Sequence, residues 1–97
     1  MKVIIRESAE ADLDHIAGWI AKDNPAAAAR TVAKIRDRIN FLETDGLAHM
    51  GRPGLIEGTR ELIERPYIIV YKVDDQRREI VIISIVHGAR DREGKEG

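Results

Sequence analysis

Apolar residues follow two different rhythms along this chain, and the change of rhythm divides it. Val3, Ile4 and Ile5 form a short β-branched run that ends at a polar cluster, which predicts a first strand over 2–6. Ala9, Leu13, Ile16, Ala17 and Ile20 then recur at three- and four-residue spacing, one apolar helical stripe. Ser8 is the expected N-cap, with Glu10 and Asp12 in or near the first turn, where the helix dipole favours carboxylates. Trp19 flanks the stripe and reads as the edge of the core. Asn24-Pro25 breaks the pattern, because a residue before proline leaves the α region while proline suits the first turn of a new helix. Asn24 is the expected cap of that helix, whose stripe runs Ala28, Val32, Ile35, Ile39, Leu42. So short a break between two helices implies an antiparallel hairpin.

The rhythm changes after residue 44. Residues 45–58 hold four of the eight glycines and one proline, with no sustained period, and read as a loop. Three strands are expected beyond it: Arg60–Ile63 with Leu62 inward, Tyr67–Val73, and Glu79–Val86. The last is apolar at both alternating sets, which suggests a central strand covered on both faces. The order is β-α-α-β-β-β, an α+β domain with the hairpin packed on one face of a small antiparallel sheet of four strands. Two helices can cover only one face of that sheet. Ile68, Val70 and the second apolar set of residues 80–86 therefore call for a partner.

Ninety-seven residues make one domain, expected over 1–92 with a flexible tail at 93–97. Sixteen Lys and Arg nearly balance seventeen Asp and Glu, for a net charge of -1, so the chain is no bulk polycation and direct contact with nucleic acid is not expected. The charge is nevertheless unevenly placed. Glu7, Glu10, Asp12, Asp14 and Asp23 face only Lys22, whereas Arg30, Lys34, Arg36 and Arg38 outnumber Asp37 and Glu43. Two neighbouring helices with complementary surfaces follow from this. The chain has no cysteine, which excludes disulfides, thiolate zinc sites and a cysteine nucleophile. Its apolar runs are far shorter than the roughly 18 residues a membrane helix needs, and its first residues lack a signal-peptide core. A cytoplasmic location is expected.

No phosphate-binding glycine loop, dinucleotide fingerprint or zinc-protease motif occurs, and His15, His49 and His87 lie far apart, so neither metal nor cofactor is expected. Ser84 lies mid-strand, outside any nucleophile-elbow context. What remains is a set of basic residues near strand ends: Arg52, Arg60, His87 and Arg90. Arginine suits bidentate contact with phosphate or carboxylate, and histidine titrates near neutrality. The structural alternatives are ion pairs that tie loops, for Arg60, and a hydrogen-bonded strand end, for His87.

Five segments in order, SAEADLDHIAGWIAKDNPAAA at the hairpin, GRPG at 51–54, GTREL at 58–62, PYIIVYKV at 66–73 and VHGARD at 86–91, resemble the ParE/RelE superfamily of bacterial toxins over roughly residues 2–92. The resemblance implies a cytosolic toxin held inactive by a cognate antitoxin whose C-terminal segment wraps it. RelE-like members cleave ribosome-bound mRNA with a basic cluster, and ParE-like members poison DNA gyrase. The position after Tyr67, where RelE-like chemistry places an arginine, holds Ile68, and residues 91–97 lack the late aromatic. Arg90 does match the arginine that follows the last strand. The GTREL and HGARD pair is typical of ParE-like members, which implies gyrase as target, a ParD-like antitoxin and no catalytic role. The target would meet Arg52, Arg60, His87 and Arg90, and the antitoxin would meet Trp19, Arg30, Lys34 and Arg38. A RelE-like endoribonuclease using Arg60, His87 and Arg90, and an inactive homologue that only binds antitoxin, are the alternatives.

Overall fold

The computed structural model describes residues 1–44 and 46–88; Arg90, most of the VHGARD segment's end and the expected tail at 93–97 lie outside the described residues. Strand β1 (Lys2–Ile5) leads directly into helix α1 (Glu7–Ala21) and helix α2 (Pro25–Phe41). Then come β2 (Arg52–Pro53), β3 (Arg60–Glu64), β4 (Tyr67–Asp74) and β5 (Glu79–His87). The sheet has five strands in the order β1-β5-β4-β3-β2.

Two features of this sheet differ from the expected one. β1 runs parallel to β5, pairing Lys2–Ile5 with Glu79–Ile82, so the sheet is mixed. The long path through both helices and the later hairpins is what allows a first strand to return beside the last in parallel. Inside the expected loop, Arg52 and Pro53 pair with Glu61 and Arg60 as a fifth strand. A two-residue strand is too short to show a period in sequence.

The helices form where the stripes predict, with one change of cap. Asn24 caps α2, its Oδ1 accepting the Ala27 N–H at 3.0 Å, and Pro25 fills the first turn. Ser8 does not cap α1. The N-cap is Arg6, in extended conformation and without a side-chain bond, because Ser8 instead donates its hydroxyl to the Ile83 carbonyl at 2.7 Å. Glu7 and Glu10 stand in the first turn and meet the helix dipole. Glu10 also takes a two-pronged bond from the Arg36 guanidinium, at 2.9 and 3.4 Å, which joins the acidic helix to the basic one.

The core lies between the hairpin and the sheet. Ala9 and Leu13 of α1 and Ile35 and Ile39 of α2, with Leu42 just beyond it, meet Leu62, Ile69, Tyr71, Ile80, Ile82 and Ile85. Trp19 is not part of this core's edge. It is 72% exposed, because the helix turns Ile16 toward the core and leaves Trp19 outward, with the Lys22 ammonium 5.2 Å over its ring.

β5 is an interior strand, as its composition implies, yet its two faces are unequally covered. Val70 pairs with Ser84 and Tyr71 with Ile82, so Ile83 is an extra residue, a β-bulge. The bulge shifts the alternation by one. Ile80, Ile82 and Ile85 all reach the core, while Val81, Ile83, Ser84 and Val86 are half-buried.

Ile35 is fully buried and Val32 only half-buried at the core margin. Ile35→Asp is expected to cost on the order of 4 kcal/mol, enough to unfold a domain of ordinary stability, and Val32→Asp distinctly less. Urea melts of the two variants check the order. A second expectation concerns pH. The hydrogen bonds from Arg36 hold the Glu10 carboxyl below its ordinary value. The stability this pair contributes is therefore complete above the usual carboxylate range and is lost as pH falls through the lowered value. Both side chains are over 40% exposed, so Glu10→Gln should remove only about 0.5 kcal/mol at neutral pH. Melting curves of parent and variant between neutral and acid pH read the difference, which should close at the acid end.

Candidate functional site

The basic residues singled out by sequence are distributed over the fold, and Arg38, Arg52 and Arg60 are engaged in holding it. Arg60 opens β3, and its guanidinium donates to the carbonyls of His49, at 2.8 Å, and Gly51. It thus pins the loop before β2. The same loop is held from below by Tyr71, fully buried, whose hydroxyl accepts the Gly51 N–H at 3.0 Å. Only glycine fits at position 51, since a Cβ there would lie 2.6 Å from both the Glu61 carbonyl and the Tyr71 hydroxyl. Arg52 stands opposite Glu61 in the β2–β3 register and pairs with its carboxylate at 3.1 Å. That carboxylate is 4% exposed and also receives the Leu55 N–H.

His87 ends β5 at the other end of the sheet, edge-on to Tyr67 with ring centroids 5.7 Å apart. Arg60 pairs across to Tyr71, whereas His87 pairs across to Tyr67, four residues away on the same strand. At about 3.3 Å per residue, the two lie roughly 13 Å apart along the strands, before the spacing between strands is added. Arg60 and His87 are therefore not brought together as a catalytic cluster. Arg90 lies outside the described residues.

Of the basic row on α2, Arg30 and Lys34 are exposed on its outer surface. Arg38 turns inward instead. It donates to the Ile63 carbonyl at 3.0 Å and stands 3.5 Å from the Glu64 carboxylate, fastening α2 to β3.

What sequence reasoning missed is a groove of about 1060 Å³ between α1 and the ends of β4 and β5. Ile16, Ile20, Tyr67 and Ile85 give it apolar lining, and His15 and Trp19 stand along its helical wall, with His87 on the strand side. Its residues come from stretches some fifty positions apart in sequence, so no local period marks it. A smaller groove of about 320 Å³ lies on the sheet's other face, where Leu55 and Ile56 approach Val70, Ile83 and Val86. Among the described residues, no three acidic, histidine or cysteine side chains gather to hold a metal ion. No described helix is long and apolar enough to cross a membrane.

The chain thus sets a helical hairpin on one face of a small mixed sheet, with an open, aromatic-walled groove between α1 and the strand ends. The family model for the ParE toxin of type II toxin–antitoxin systems of the parDE kind matches residues 3–92. A candidate toxin of Sinorhizobium fredii, Y4kP, is 42% identical over 77 residues, covering 77% of this chain and 75% of its own. Among solved structures, a chain from the chromosomal ParDE system of P. aeruginosa matches with a TM-score of 0.77 at 29% identity, over 90% of this chain and 95% of that one. A chain of the RelBE2 toxin–antitoxin complex of Mycobacterium tuberculosis shares the fold, with a TM-score of 0.64 at 24% identity, over 89% and 95%. The chain belongs to the ParE toxin family.

If Arg60 holds the loop, its loss must appear in stability. Arg60→Ala is expected to cost about 1–3 kcal/mol, because it strips the His49 and Gly51 carbonyls of their donor. Thermal melting checks this. A variant that melts like the parent would return Arg60 to the surface.

Proposed function

We propose that this toxin acts by binding: it inhibits DNA gyrase and so blocks replication, and a ParD-like antitoxin neutralises it in the cytoplasm. The observation that carries the reading is the dispersal of the basic residues. A ribonuclease must gather cationic and acid–base groups around one phosphate, where each such group is worth several kcal/mol in the transition state. Here Arg60 is committed to two loop carbonyls, Arg52 to Glu61, and His87 stands at the far end of the sheet. Ile68, at the position where RelE-like chemistry uses an arginine, is 4% exposed and packed as an apolar side chain. Membership of the ParE family supports the same side.

For the antitoxin, the α1–sheet groove is the surface that best fits a peptide segment. Its mouth carries Trp19, the most exposed large apolar residue described, and Arg30 and Lys34 offer further contacts on the hairpin. Exposed tryptophan and arginine are the residue types that most often dominate binding energy.

Purified toxin should inhibit gyrase supercoiling in vitro and be relieved by antitoxin. Ribosome-dependent mRNA cleavage without gyrase inhibition would establish the endoribonuclease reading instead. Lack of growth arrest on expression alone would leave an inactive homologue that only binds antitoxin. Trp19→Ala should weaken antitoxin binding by tenfold or more with melting unchanged, as read by calorimetry, and an unchanged affinity would place the antitoxin elsewhere.

A further inference from the structure

On the β1 side of the sheet, side-chain oxygens meet backbone groups where another strand would otherwise pair. Lys2 and Arg6 direct their N–H groups inward, to the carbonyls of Arg78 and Ile82, each at 3.1 Å. Strand alternation therefore turns the N–H groups of Val3 and Ile5 to the outer edge. There the carboxylate of Glu43, an exposed residue just past α2, accepts the Val3 N–H at 3.2 Å. β1 stops opposite Ile82, and the rest of this edge is met from α1: Ser8 donates to the Ile83 carbonyl at 2.7 Å, and Asp12 accepts the Ile85 N–H at 2.8 Å. A row of unpaired backbone groups on an edge strand is a template for another chain, and charge placed on such an edge is a known way to blunt it.

We propose that Glu43 guards a latent self-pairing edge, and that the occupant when the guard is removed is β1 of a second copy of this chain. Three of the four residues of β1 are Val or Ile, the composition that pairs most readily. Two identical strands related by a two-fold axis pair antiparallel and satisfy each other's outward groups at once, which closes the assembly as a dimer. In that arrangement each copy also brings a Glu43 carboxylate to the shared edge. The guard thus acts twice, by occupying the Val3 N–H and by like-charge repulsion across the axis. Ser8 and Asp12 are different in kind. They sit on α1 and fasten that helix to β5, whereas Glu43 is exposed beyond the end of α2 and is the side chain whose removal opens the β1 edge itself.

Analytical ultracentrifugation of the full chain over a range of concentrations tests this, with circular dichroism melts alongside. The parent should sediment as a monomer, and Glu43→Ala should dimerise at concentrations at least tenfold lower. Adding Val3→Pro, which removes the outward N–H at an edge position where proline is tolerated, should return Glu43→Ala to a monomer. Glu43→Gln keeps an acceptor and loses the charge, and should dimerise at concentrations between those of parent and alanine variant. It serves as the readout if Glu43→Ala fails to fold. A parent that already dimerises through β1, a folded Glu43→Ala or Glu43→Gln that matches the parent, or a dimer that persists with Val3→Pro would each overturn the proposal.

Discussion

Strand β5 has to satisfy two neighbouring strands and helix α1 at once, and the bulge at Ile83 is what makes this possible. With strict alternation, Ile80 and Ile82 would face the core together with Ser84, while Ile85 would point away. A buried hydroxyl without a partner costs more than a methyl group gains. One extra residue moves Ser84 out and Ile85 in, and the core closes over three isoleucines of one strand. Beside the bulge, where β1 has ended, the outer edge of β5 needs partners of its own, and α1 supplies them through Ser8 and Asp12. The helix is therefore docked where the strand is irregular. Its first half is fastened to β5, and its second half, from His15 to Lys22, forms the wall of the large groove.

The same economy governs the charged residues. Arginine carries five donors in a planar fork, which suits it to bridging several carbonyls as well as to binding phosphate. In this chain the first use prevails. Arg60 gathers the loop before β2, Arg38 ties α2 to β3, and Arg52 neutralises a carboxylate that is almost wholly covered. Tyr71 and Gly51 complete the loop from the core side, one by accepting an N–H and the other by leaving room for it. Cations fixed in this way are committed to the fold, while Trp19, beside the large groove, and Arg30 and Lys34 on α2 stand exposed among the described residues.

The stripes, the break at Asn24-Pro25 and the three C-terminal strands were legible because each rests on neighbours in sequence. A 3.6-residue period, a proline-set φ and a β-branched run act over a few residues and leave their mark on the chain itself. The segments that place the chain in its family were legible for the same reason. The parallel seat of β1, the two-residue β2, the outward turn of Trp19 and the use of Ser8 were not. Each depends on a partner dozens of positions away: β5 for β1, Glu61 and Arg60 for β2, the sheet for Trp19, and the Ile83 carbonyl for Ser8. So does the work of the basic residues, since an arginine in sequence shows its charge but not which carbonyls await it. Local patterning determined which elements form; only the packing of distant segments decided which faces they share, and hence which side chains stand free to bind.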